Sequence, residues 1–168
     1  MRTTEELEIA IEGLESWKYQ YEDHQHTGVD SQYVRQLDLS DRKFYISHTI
    51  AGVQSATATN YGVFFIAPFE CYVSKVQEVH LTAGSDGSAV TLMIEKLTSA
   101  EAPGSGDDVL STALSLKTTA NTVQSGIITA TKANSNLEIG DRLCMEDTGT
   151  LTAVANVTVL IELTIKKS

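Results

Sequence analysis

The residues best placed to do chemistry in this sequence stand at 24–34, HQHTGVDSQYV. His24 and His26 are separated by one residue. In an extended segment such a pair projects to the same side, so both imidazoles approach one point. Two nitrogens are too few for a tight metal site. Three chains around a threefold axis supply six, which suits an octahedral first-row ion such as iron, zinc or nickel. The alternative is a pair of solvated histidines at a helix end, where a protonated imidazole interacts well with the C-terminal dipole. The spacing leaves both readings open.

Other reactive side chains are more scattered. His48 and His80 fall in separate strand-like runs and read as partly exposed strand histidines. Cys71 and Cys144 match no C-x-x-C motif and read as reduced, buried small hydrophobes. Asp86 in SDGS and Asp107–Asp108 in GSGDD offer oxygens to a cation such as Ca²⁺. They lack the D-x-[DN]-x-[DN]-G run, and solvated turn aspartates are the simpler expectation. The glycines around them lack the lysine and the strand–turn–helix setting of a phosphate loop and read as turns. Nothing resembles the G-x-S-x-G elbow of a hydrolase. The expectation is a chain that is not an enzyme.

The elements that would position these residues fall into two parts, 1–43 and 44–168. Thr3 and Glu6 have capping-box spacing. Leu7, Ile11, Leu14 and Tyr21 then recur on one helical face, with Trp17 in a neighbouring position, predicting a helix over about residues 4–22. A lone helix cannot bury such a stripe, so the stripe is a candidate interface with the β domain, another copy or another protein. Residues 23–43 are polar, carry the histidine motif and read as a connector.

From Phe44 the texture changes to short β-type runs divided by turn residues: FYISHTI, YGVFFIA, CYVSKVQEVHL, AVTLMIEKL, VLSTALSL, TVQSGIITAT, DRLCMED and VTVLIELTI. In the last run Val157, Val159, Ile161, Leu163 and Ile165 alternate with Thr158, Leu160, Glu162, Thr164 and Lys166, the signature of a half-buried strand. The eight runs predict a mainly β fold: an antiparallel β-sandwich or jelly roll of about eight strands behind an N-terminal α-helix. Tyr61, Phe64, Phe65 and Phe69 cluster early in this part. They fit either a sugar-binding platform or, more simply, core.

Charge narrows the partners. The net charge is −10, and ten of the 22 acids lie in the first 45 residues. No basic stripe exists to displace the counterions of nucleic acid or to dock on an anionic membrane. No apolar run approaches the length of a membrane-spanning helix, and MRTTEELEIA lacks the apolar core of an export signal.

Two stretches resemble a known group. HQHTGVDSQYV is similar to an H-x-H-[TD]-G-x-[DN]-S signature of tailed-bacteriophage virion proteins. NYGVFFIAP (60–68), VSKVQEVHLTAGSDGSAVTLMIEKLTSAEAPGSG (73–106), TTANTVQSG (118–126) and LEIGDRLCMEDTGTLTAVANVTVLIEL (137–163) resemble a β module of phage structural proteins. The resemblance covers roughly two thirds of the chain. It implies a non-enzymatic virion protein, assembled in the host cytoplasm: a capsid decoration or head-fibre protein, or alternatively a tail-fibre adaptor or a receptor- or glycan-binding module. It further implies a homo-oligomer, with a trimer expected, in contact with major capsid, portal-vertex or tail proteins. It also adds weight to an axial metal at His24 and His26, level with the reading as solvated histidines.

Overall fold

The computed structural model describes residues 42–54 and 62–166, all within the unit Leu39–Ser168. The expected helix over 4–22, the stripe Leu7, Ile11, Leu14, Trp17 and Tyr21, and the pair His24 and His26 lie outside the described residues, as does Tyr61.

The described chain is a sandwich of two antiparallel sheets. Its long strands are β1 (Lys43–Val53), β2 (Gly62–Ile66), β3 (Cys71–Val79) and β4 (Thr91–Leu97), and later β9 (Arg142–Thr148) and β10 (Ala155–Ile165). Four short strands intervene: β5 (Asp107–Asp108), β6 (Leu114–Ser115), β7 (Gln124–Gly126) and β8 (Asn136–Leu137). A single helical turn, α1 (Lys132–Ser135), precedes β8. One sheet has the order β1-β10-β3-β7, with β8 also on β3. The other has the order β2-β9-β4-β5, with β6 also on β4.

Six of the eight expected runs are these long strands. The two middle runs, VLSTALSL and TVQSGIITAT, do not form continuous strands. They contribute β6, β7 and an isolated bridge between Leu110 and Ile128. The described residues therefore contain ten strands where about eight were expected. The segment between β4 and β9 is rich in Gly, Ser, Thr and Ala, which offer too little apolar surface to hold a long strand.

The core follows from the period of two. Val73 and Val76 of β3, Leu92 and Ile94 of β4, Leu143 and Met145 of β9, and Val157, Val159, Ile161 and Leu163 of β10 join one buried cluster. Burying each Leu or Ile contributes about 1.5–3 kcal/mol. The alternation slips at Ser74, the extra residue in a bulge where β10 passes from Glu162↔Lys75 to Leu163↔Val73. There Thr164 is buried and Ile165 only half-buried, departing from the strict alternation expected for β10.

The outer face of the first sheet is tied by Glu162. Its carboxylate accepts from Lys43 Nζ at 2.8 Å, Ser74 Oγ at 2.7 Å and Tyr45 Oη at 2.8 Å. These donors, Lys43 foremost, hold the carboxyl down at about 2.

Candidate functional site

Residues brought together by the second sheet form its most distinctive polar group. β4 lies between β9 and β5, so Glu95 faces Cys144 on one side and Asp108 on the other. Glu146, two residues along β9 from Cys144, shares that face. Glu95, Asp108 and Glu146 present carboxylate oxygens within 4.8 Å of one another, a spacing open to a cation. The loop after β4 folds back over them: Gly104 N–H donates to Glu95 Oε2 at 2.7 Å, and Cys144 Sγ–H lies 3.4 Å from the same oxygen. Glu95 is thereby buried. Burial and then the charge of Glu95 raise the Asp108 carboxyl. Burial and then a hydrogen bond to Glu95 raise Glu146. Desolvation and neighbouring negative charge both disfavour the charged forms of Asp108 and Glu146.

Of the aspartates weighed as calcium ligands, Asp86 acts as a turn residue. Its Oδ1 accepts Ser88 N–H at 2.6 Å, and that bond lowers its pKa. Asp107 points at Lys96, 3.5 Å away. Asp108, on the opposite face of β5, is the one that joins the cluster. Glu95 and Glu146 were not singled out in the sequence. They lie in different strands, and only the register joins them.

On the inner face of the same sheet Asp147 follows Met145 into the sandwich. It is 3% exposed, and neither carboxylate oxygen has a hydrogen-bond partner. Burial, with the Glu146 charge second, pushes its carboxyl up to about 7.

His48 is half-buried, as expected, with its ring stacked on Phe64 at 5.3 Å. His80 departs from expectation. It is fully buried just beyond β3, with Nδ1 2.9 Å from Glu78 Oε1 and Nε2 3.2 Å from the Thr118 carbonyl. Its side chain follows Val76 and Glu78 on the inward face of the sheet. Phe44 meets Phe65 at a tilt and Phe69 edge-on, with centroids 6.2 and 5.3 Å apart, and Phe64, Phe65 and Phe69 pack against the core. The described members of this aromatic cluster thus pack as part of the core. Cys71 and Cys144 are buried and free, as expected.

No family model and no curated protein matches the chain. Among solved structures, a chain from the capsid of Ralstonia phage GP4 aligns with a TM-score of 0.57 at 9% identity, over 77% of this chain and 88% of that one. The two chains share a fold. At that identity the likeness is one of fold alone. A chain from the cyanophage Pam1 capsid asymmetric unit aligns over 74% of this chain and 84% of that one, with 12% identity and a TM-score of 0.41.

Proposed function

We propose that this chain is a non-enzymatic structural protein of a tailed-phage virion, of the capsid decoration or head-fibre type. In this reading residues 1–43 anchor it and the β-sandwich is displayed outward. The observation that carries the reading is the fold shared with a phage capsid chain over most of both molecules. Fold alone does not assign a role. The resemblance of HQHTGVDSQYV to a phage virion signature adds support from residues outside the sandwich.

The strand order supports a more specific architecture. Strands β1, β10, β3 and β7 lie in one sheet and β2, β9, β4 and β5 in the other, so the chain crosses between sheets at each long strand from β1 to β4 and again from β9 to β10. We read this as a jelly roll, the double Greek key that recurs in viral capsid domains.

In the same reading the chain is a homo-oligomer, with a trimer as the expected form. Leu7, Ile11, Leu14, Trp17 and Tyr21 bury against neighbouring copies or a virion protein. His24 and His26 face the axis, where they hold an iron, zinc or nickel ion. Elemental analysis of untagged protein tests the ion: one metal per three chains, absent from a His24→Ala/His26→Ala variant, supports it.

The location is tested by gold-labelled antibodies on purified particles. Labelled heads support the decoration or head-fibre role. Labelled tails move the chain to the adaptor class. Particles that lack the protein altogether, by mass spectrometry, overturn the virion reading.

A further inference from the structure

Between β6 and β7 the chain passes from one sheet to the other on residues that bury almost nothing. From Lys117 to Val123 every side chain is exposed except that of Ala120, which is half-buried. Apolar burial therefore does little to hold this segment down. At its root Lys117 Nζ donates to the Asp86 and Ser88 carbonyls at 2.6 and 3.0 Å, and Thr118 Oγ1 donates to the Ser115 carbonyl at 3.2 Å. Beyond the root, the bonds among the described residues lead to the buried pair at the end of β3. The Thr118 carbonyl accepts from His80 Nε2 at 3.2 Å, and Asn121 N–H donates to the His80 carbonyl at 2.8 Å. Gln124, where the segment ends, donates to Glu78.

The pair needs one more hydrogen than a neutral imidazole and an ionised carboxyl carry. The Thr118 carbonyl cannot donate, so it fixes a hydrogen on His80 Nε2. A neutral ring then has a bare lone pair on Nδ1, and an ionised Glu78 only accepts. These two acceptors would stand 2.9 Å apart with both side chains withdrawn from solvent, where their repulsion is poorly screened. A hydrogen between them turns the same contact into a charge-assisted bond. Among the described residues the ionisable group that meets His80 is Glu78, from its own strand. The segment 117–123 contributes only Lys117, which points to the Asp86 and Ser88 carbonyls. Asp147, on the inner face of β9, has Glu146 as its charged neighbour.

We propose that residues 117–123 form a strap latched by a single hydrogen held between His80 Nδ1 and Glu78 Oε1, and that loss of this hydrogen to solvent frees the strap. The inference goes beyond the virion reading and holds wherever the chain sits in a particle.

The latch ties folding to pH. Unfolded, the two side chains hold this hydrogen only below the histidine range, about pH 6.5. From about pH 4.3 to 6.5 the folded and unfolded chains bind it equally, and the latch adds no pH dependence. Above that range the unfolded chain gives the hydrogen up and the folded chain keeps it. The contribution of the latch to stability is then lost as pH rises. The folded-to-unfolded ratio falls by about tenfold per pH unit while one hydrogen separates the two states.

The test compares full-length chains. Glu78→Gln keeps the shape and supplies the hydrogen permanently, because its amide N–H donates to Nδ1 and its carbonyl accepts from Gln124. Glu78→Leu/His80→Phe removes both members of the pair and guards against a folding defect in the first variant. In urea denaturation between pH 7 and 8, the folded-to-unfolded ratio of the parent is expected to fall about tenfold more per pH unit than that of either variant. Amide exchange over 117–124, corrected for its intrinsic rise with base, is expected to quicken with pH in the parent. It should stay slow in Glu78→Gln and be fast at every pH in the double variant. A variant whose stability profile runs parallel to that of the parent overturns the inference, because the pair then holds no extra hydrogen. So does corrected exchange over 117–124 that is independent of pH in the parent.

Discussion

Glu78 and His80 meet inside the sandwich at 2.9 Å, both side chains fully withdrawn from solvent. They stand two apart along the chain, so the pleat brings both to the inner face. The second Glu78 oxygen accepts from Gln124 Nε2, which also donates to the Ser115 carbonyl at 2.7 Å. The Thr118 carbonyl only accepts, so His80 Nε2 carries a hydrogen. Every polar atom of the pair has a partner, which lets the pair persist in an apolar setting. Removing one partner strands the other: Glu78→Ala is expected to cost about 3–5 kcal/mol in urea denaturation. The double variant Glu78→Leu/His80→Phe should cost less than the sum of its single changes. Simple additivity would show that the two side chains are not coupled.

Asp147 makes stability depend on pH. Its carboxyl is raised in the folded chain to about 7. The neutral form is therefore favoured by folding. Below the unfolded aspartate range this group imposes no penalty. Stability is lost as pH rises from about 4 through about 7, by up to about 4 kcal/mol, one pKa unit being worth about 1.4 kcal/mol. Asp147→Asn should leave stability at pH 4 nearly unchanged and raise it at pH 8.5, measured as melting temperature. A less stable variant at pH 8.5 would mean that the ionised carboxylate has a favourable partner.

Gly149 is required by its surroundings. Its φ is +95°, and a Cβ there would lie 2.0 Å from the Ala89 carbonyl oxygen. Gly149→Ala therefore needs a backbone shift between β9 and the segment before β4. It should destabilise by more than about 1 kcal/mol. Gly87→Ala, where nothing lies within 4 Å, is the control and should be near neutral in the same denaturation series.

The cysteines should be inert in the folded chain. Burial pushes the Cys71 thiol up to about 11 and, with the Glu95 carboxylate beside it, the Cys144 thiol up to about 12. The thiolate is the reactive form, and both groups are out of reach of solvent. Iodoacetamide at pH 8 should leave both unmodified by mass spectrometry until the chain is unfolded. Rapid labelling of either in the native protein would contradict the burial.

Much of the sandwich was legible in the sequence because its signals are local. The alternation from Val157 to Leu163 marks β10, and the β-branched and aromatic runs mark β1 to β4 and β9, since strand formation and facing depend on neighbours along the chain. Turn residues such as Asp86 were legible for the same reason. The pairing was not. Nothing near Glu95 in the sequence announces Asp108 or Glu146, which reach it only across β5 and β9. His80 looked like an ordinary strand histidine because the groups that enclose it, Thr118 and the Gln124 that holds its partner Glu78, arrive from the far side of a long connection. Residue type and period two determine which way a side chain points. Only the tertiary register, set by long-range closure of the two sheets, decides what it meets there.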